Sequence, residues 1–285
     1  MNHVDVFYRS DDGLRLYARD YPGPGPDASV ILCLPGLTRN SKDFSTLAER
    51  LCSRYRVICP DQRGRGRSAR DPDPDHYRPD RYVLDMQTLL TVLGIGQVVL
   101  IGTSLGGLMS MILMATDARR VAAAVLNDVG PEVDAAGLAR IAGYVGKTAP
   151  VSNWEEAATQ TAHTNGIAFP EYGKGDWLRM AREIYIQEGA RPVLDYDPAI
   201  AQGVVSGATA PNLWPLFDMI PARPMLLVRG ETSDILSVAT VAEMQKRRPG
   251  MVTVTVPGRG HAPTLGEPAA VAAVDAFLGA IVPAQ

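Results

Sequence analysis

Ser104 lies in Gly102-Thr103-Ser104-Leu105-Gly106, a G-x-S-x-G pattern with Gly107 directly after it. A serine hydroxyl is a poor nucleophile until a base takes its proton and a third group orients that base. The chain offers four histidines. His3 lies near the N-terminal end, His76 in an acidic, proline-rich loop, and His163 at the end of a predicted helix. Only His261 follows an apolar strand, in Val256-Pro257-Gly258-Arg259-Gly260-His261. The two glycines before it allow a tight loop that reaches back over a sheet, so His261 is the predicted base.

Two carboxylates compete to orient it. Asp128 comes immediately after the apolar run Val121 to Leu126. Asp234 follows Met225 to Val228 by the short loop Arg229-Gly230-Glu231-Thr232-Ser233. Either preserves the chain order Ser, Asp, His expected for this motif, so order does not decide. Asp234 is preferred because its loop belongs to the strand–helix unit just before His261, and adjacent loops meet at the sheet edge. Glu231 is a third choice. An oxyanion needs two N–H donors. Leu105 supplies one as the residue after the nucleophile, and the loop after Val30 to Leu34 should supply the other. Leu37 is the candidate there, since Pro35 has no N–H and Gly36 lets the backbone come close.

These residues need elements to hold them. Val98 to Ile101 is a short apolar run, as expected of a strand buried on both faces. Leu108, Met109, Ile112 and Leu113 then continue at helical spacing, which makes Ser104 the tip of a sharp strand-to-helix turn. The helix dipole favours negative charge at that end. Val4 to Tyr8 and Leu14 to Tyr21 read as strands joined at Asp11-Asp12-Gly13. Val30 to Leu34, Tyr55 to Cys59, Val121 to Leu126, Met225 to Val228 and Val252 to Val256 read as further strands. Ser41 is the expected cap of a helix carrying Phe44, Leu47, Ala48 and Leu51, and Pro79 to Leu93 is another helix. From Gly130-Pro131 to about Pro211 no strong strand appears. Helices near Trp154 to His163 and Asp176 to Glu188 mark this stretch as a helical insertion. Strands alternating with helices imply a mostly parallel sheet covered on both faces, with the ligand site beyond the strands' carboxyl ends.

The 285 residues suit one large α/β domain with an inserted piece. With 46% hydrophobic and 21% charged residues, a sizeable core is expected. A net charge of −3 gives no electrostatic case for nucleic acid or an anionic membrane. Arg63, Arg65, Arg67 and Arg70 are clustered, but Asp71, Asp73, Asp75 and Asp80 follow and cancel them, so a glycine-rich structural turn is expected. The odd count of cysteines, Cys33, Cys52 and Cys59, and the apolar context of Cys33 and Cys59 suggest reduced, buried thiols and a cytoplasmic location. No leader pattern or 18-residue apolar run is seen. The histidines are too scattered for a metal site. Met109, Met111 and Met114 are expected to pack the core.

The sequence resembles the α/β-hydrolase superfamily across essentially its whole length, in its serine esterase-like branch with a helical cap. The elbow around Ser104 is similar to the family's. Asp61-Gln62-Arg63-Gly64-Arg65-Gly66-Arg67-Ser68 matches its D-x-R-G-x-G-x-S turn, and Gly258-Arg259-Gly260-His261 matches its histidine loop. One departure is Pro35-Gly36, where many members have His-Gly. The resemblance implies an eight-stranded, mostly parallel sheet, with residues 1–130 and 212–285 as the core and 131–211 as a cap over the site. It implies hydrolysis of a small-molecule carboxylic ester through an acyl-enzyme, with Ser104, His261 and Asp234 as the triad and no cofactor. Enol-lactone hydrolysis, carbon–carbon bond hydrolysis of a diketone and cofactor-free perhydrolysis use the same triad, and a slow ligand-sensing protein would keep the same pocket. Trp154, Phe169, Tyr172, Trp177 and Tyr185 are candidates to line the pocket from the cap, with Trp154 and Trp177 the named substrate contacts.

Overall fold

The computed structural model describes residues 3–205 and 212–281. The last residues of the expected insertion, 206–211, lie outside the described residues. The chain opens with β1 (Val4–Arg9), β2 (Arg15–Tyr21) and β3 (Val30–Leu34), followed by α1 (Ser45–Leu51), β4 (Arg56–Asp61), α2 (Pro79–Val92), β5 (Val98–Thr103), α3 (Leu105–Thr116) and β6 (Val121–Asn127). The insertion holds α4 (Ala135–Tyr144), α5 (Trp154–Asn165), α6 (Lys174–Ile184), β7 (Tyr185–Glu188), β8 (Arg191–Leu194) and α7 (Gln202–Val205). The chain returns through α8 (Trp214–Met219), β9 (Met225–Gly230), α9 (Val238–Arg247), β10 (Val252–Val256) and α10 (Pro268–Ile281).

Eight strands form one sheet in the order β1-β2-β4-β3-β5-β6-β9-β10. Only β2 runs against the others, because it pairs antiparallel with both β1 and β4 while the remaining pairs are parallel. The period-2 alternation of side chains divides the central strands between two cores. Leu32, Leu34, Ile58, Leu100, Leu126 and Leu227 join Met86, Leu90, Met109 and Leu113 of α2 and α3 on one face. Ile31, Cys33, Val57, Cys59, Ile101, Val125 and Val228 join Leu51, Val274 and Leu278 of α1 and α10 on the other. Each central strand is thus buried on both sides, which is why it reads as a continuous apolar run. Truncating one such leucine to alanine costs about 2–5 kcal/mol.

Three sequence expectations change. Asn40, not Ser41, caps the turn before α1: its side chain accepts from the Lys42 N–H, and Ser41 begins a short 3-10 turn. The helix expected over Asp176 to Glu188 stops at Ile184. Tyr185 pairs with Leu194 and Glu188 with Arg191, making a hairpin whose two-residue loop starts at Gly189 with φ 57°. Helix α4 was not foreseen, because its amphipathic stripe is short and interrupted by glycines.

The insertion has its own small core of Val151, Ala157, Ala168, Phe169, Met180, Ala181, Ile184 and Tyr185. Among the described residues, its ties to the sheet domain include three sets of main-chain hydrogen bonds. Asp195, after β8, gives its carbonyl to the Gly66 N–H at 2.9 Å, and Asp197 donates its N–H to the Gly64 carbonyl at 2.7 Å. The Ala168 carbonyl accepts from the Gly260 N–H at 3.0 Å. Asp134 donates to the Ile235 carbonyl at 2.9 Å, and Arg140 of α4 grips Asp234 through Nε at 2.5 Å and Nη2 at 2.9 Å. No helix among the described residues is long and apolar enough to cross a membrane.

Candidate active site

The turn at Ser104 is forced by the packing of β5 against α3. Ser104 has φ 53° and ψ −116°, a strained conformation for a residue with a side chain. The turn needs its glycines, because a Cβ on Gly102 of β5 would lie 2.3 Å from the Gly106 carbonyl oxygen and one on Gly106 would lie 1.9 Å from the carbonyl oxygen of Leu34 in β3. Strand and helix therefore touch backbone to backbone, and the hydroxyl stands above the sheet. His261 arrives on the loop after β10 and places Nε2 2.8 Å from Ser104 Oγ. Asn127 steadies that loop by donating to the Pro263 carbonyl at 2.8 Å and to Thr103 Oγ1 at 3.0 Å.

The acid on His261 is Asp128, which corrects the preference for Asp234. Asp128 Oδ2 lies 2.8 Å from His261 Nδ1 and also accepts from Ser233 Oγ at 2.6 Å, while Oδ1 accepts the Gly230 N–H at 2.8 Å. Its side chain is fully buried, and that of His261 is 8% exposed. Asp128 reaches this position because β6 lies directly beside β5, with Thr103 opposite Asn127, and because its own φ is 57°. Asp234 lies four residues beyond the end of β9 with its carboxylate on Arg140. Burial alone would raise the Asp234 carboxyl, but the Arg140 guanidinium overrides it and holds the group below the ordinary carboxylate range. Glu231 is turned instead to the Gly258 N–H, at 2.8 Å.

Leu105 is the first residue of α3, and Leu37 lines the same cavity as Ser104. Neither N–H has a backbone acceptor among the described residues, so both are available to a developing oxyanion. The Leu37 loop is held from below. Arg65, fully buried, donates from Nε to the Leu37 carbonyl at 2.9 Å and from Nη1 to the Arg63 carbonyl and Tyr82 Oη. Gln62 donates to the Pro35 carbonyl at 3.3 Å. Arg63 is also fully buried, and Asp12, Asp71 and Asp85 surround it. The arginine-rich stretch is therefore a buried structural turn. Asp12, Asp71 and His76 converge on one point, but Arg63 already donates into both carboxylates there.

The cavity over Ser104 measures about 570 Å³. The oxyanion loop, the His261 loop and the insertion all contribute, the last through Ile141, Tyr144, Asn165, Phe169, Tyr172 and Met180. Trp154 and Trp177, the predicted substrate contacts, do not line it. Trp177 packs beside Tyr172 with ring centroids 5.1 Å apart, and Trp154 lies under the Arg182 guanidinium at 4.8 Å. Both serve the insertion's own packing. Tyr185 opens instead onto a small adjoining cavity behind Arg39. The sequence reading passed over Arg39 and Glu183, which face the main cavity and each other. A usable signal existed for Arg39, which stands two residues beyond the predicted oxyanion donor on the same loop.

Residues 31–274 match the alpha/beta hydrolase family. The chain is 36% identical over 280 residues to a 3-hydroxybutyrate-oligomer hydrolase from Cupriavidus necator, covering 94% of each chain. It is 30% identical to a 2-(acetamidomethylene)succinate hydrolase from Mesorhizobium japonicum, covering 84% of this chain and 82% of that one. The crystal structure of an alpha/beta hydrolase from Novosphingobium aromaticivorans superposes with a TM-score of 0.91 at 47% identity, covering 97% of this chain and 98% of that one. With an eight-stranded sheet, a serine turn after β5 and a match over most of its length, this chain belongs to the alpha/beta hydrolase family.

Proposed function

We propose that the protein hydrolyses a small-molecule carboxylic ester through an acyl-enzyme, with Ser104 as nucleophile, His261 as base and Asp128 as the orienting acid. The observation that carries this reading is the unbroken line Ser104 Oγ, His261 Nε2, His261 Nδ1, Asp128 Oδ2, with both contacts at 2.8 Å. Ser104 Oγ attacks the ester carbonyl as its proton passes to His261 Nε2. Asp128 fixes the tautomer and stabilises the imidazolium, while the Leu37 and Leu105 amides hold the oxyanion. His261 returns the proton to the departing alkoxide. A water, deprotonated by the same nitrogen, then releases the acid and regenerates Ser104. The insertion acts as a cap that shapes the acyl and alcohol sites. The relative from Cupriavidus supports an ester, because oligomers of a hydroxy acid are joined by ester bonds.

The test is a panel of p-nitrophenyl esters and of linear 3-hydroxybutyrate oligomers, with a serine-directed phosphonate alongside. Turnover of esters, labelling of Ser104 and loss of nearly all turnover in Ser104→Ala are expected, since the oxyanion donors alone retain a residual rate. Labelling at another residue, or a Ser104→Ala protein with wild-type turnover, rules the mechanism out.

A further inference from the structure

The cavity over Ser104 contains a guanidinium whose outer end is incompletely used. Arg39 Cγ and Ser104 Cβ both lie within 4 Å of the point where a Cβ on Gly36 would stand, so the arginine stem and the nucleophile share one side of the oxyanion loop. The Arg39 side chain is 18% exposed and lines the cavity. Asp43 occupies its inner edge, with Oδ1 2.6 Å from Nε and from Nη2. At the outer edge, Glu183 touches Nη2 at 3.2 Å, and Nη1 bonds to no protein acceptor among the described residues. A planar guanidinium offers that Nη1/Nη2 edge as a two-pronged site for a carboxylate. Tyr144 lines the cavity beside it, and burial pushes its phenol up, so it remains a hydroxyl donor. Glu183 holds the outer edge through that one contact and leaves Nη1 to a ligand.

We propose that the outer edge of Arg39 binds a free carboxylate of the ester substrate, displacing Glu183, so that the preferred substrates are esters that also carry an acid group. The inference rests on the esterase reading and narrows it. A linear oligomer of a hydroxy acid meets the requirement, with an ester to cleave and a carboxylate at one end. An arginine already paired on one edge is a rigid donor whose second edge needs little reorganisation to accept the ligand.

The experiment compares two pairs of substrates that differ in charge. One is the linear 3-hydroxybutyrate dimer against its carboxamide. The other is p-nitrophenyl hemisuccinate against p-nitrophenyl butyrate. The readout is the ratio of kcat/KM, acid over neutral. Wild type is expected to favour the acid in at least one pair. Arg39→Gln should lower that ratio by about 10- to 100-fold, the size of a lost charge-assisted hydrogen bond, mainly through KM. Glu183→Gln should raise it, because the competing carboxylate is gone. A wild-type ratio at or below one in both pairs overturns the proposal, as does a ratio that Arg39→Gln leaves in place. Should Arg39→Gln fail to fold, Glu183→Gln decides, and an unchanged ratio there counts against it. Failure to turn over any ester, neutral ones included, would instead strike the esterase reading itself.

Discussion

Asp128 meets His261 Nδ1 at 2.8 Å from a backbone held at φ 57°, a left-handed conformation that aspartate tolerates better than most residues. That conformation turns the carboxylate back across the end of β9, where it also collects the Gly230 N–H and the Ser233 hydroxyl. Three donors fix its position before a substrate arrives, so the imidazole ring is oriented in the resting protein.

Asp128→Asn should therefore lower kcat by up to about 10⁴-fold, as removal of a triad aspartate does elsewhere. Asp234→Asn should leave kcat within a few-fold of wild type and cost stability through the Arg140 pair, by about 0.5–1 kcal/mol for a contact that is partly exposed. Steady-state kinetics and thermal midpoints for the two variants separate these roles. An active Asp128→Asn beside a dead but stable Asp234→Asn would return the acid role to Asp234.

Arg65 donates to the Leu37 carbonyl at 2.9 Å, and on the proposed mechanism that contact makes it a positioning residue for the oxyanion loop. Arg65→Lys retains a charge but loses the fork that joins Leu37, the Arg63 carbonyl and Tyr82. We expect kcat to fall by about 10-fold or more, short of the 10²–10³ for losing an oxyanion donor outright, with KM little changed at temperatures well below the melting point. If kcat stays at the wild-type value while only the melting point drops, Arg65 supports the fold and nothing more.

Glu183 gives a stability effect with a defined sign. Burial raises its carboxyl to about 7, against the pull of Arg39, while Asp43 adds to the rise and Arg179 and Lys42 oppose it. Because the folded pKa is higher than the unfolded one, the folded state holds the proton more tightly. Its contribution is most favourable below the unfolded value near 4.5 and is lost as pH rises through about 7. Glu183→Gln should thus be close to neutral at pH 4.5 and stabilising at pH 8. Chemical denaturation at the two pH values checks this, and a variant equally stable relative to wild type at both refutes it.

Trp177→Ala should weaken the insertion without changing selectivity. The ring is only partly buried against Phe169 and Tyr172, so the cost should be about 2 kcal/mol, below the 3–5 typical of a full core aromatic. Relative rates over short and long acyl esters should match wild type for this variant and for Trp154→Ala. A change in chain-length preference in either would place that side chain against substrate after all.

The parts of the molecule that were legible in the sequence are those set by local pattern. Central strands buried on both faces leave apolar runs such as Val98 to Ile101, and the serine turn needs glycines at fixed offsets. The choice between Asp128 and Asp234 is not local. It depends on β6 lying beside β5 and on which loop carries a left-handed residue, and neither property shows in the spacing of carboxylates along the chain. Arg140, the partner that holds the Asp234 carboxylate, comes from the insertion, where Gly137 and Gly143 broke the helical pattern of α4. The tryptophans misled for a similar reason. Large aromatics suit a pocket wall, but a small inserted core needs them first.

The three sets of main-chain bonds between the insertion and the sheet domain bear on how molecules come and go. Lifting the insertion as one rigid door would break main-chain bonds at Gly64, Gly66, Gly260 and Ile235 together, along with the Arg140 grip. Passage to Ser104 by side-chain motion alone would leave those bonds intact, and exposed side chains turn over in nanoseconds or less rather than the micro- to milliseconds of a hinge. With no hinged door to wait for, we expect kcat to be indifferent to the viscosity of the solvent, and a kcat that falls in proportion to added viscogen would show that the insertion opens during turnover.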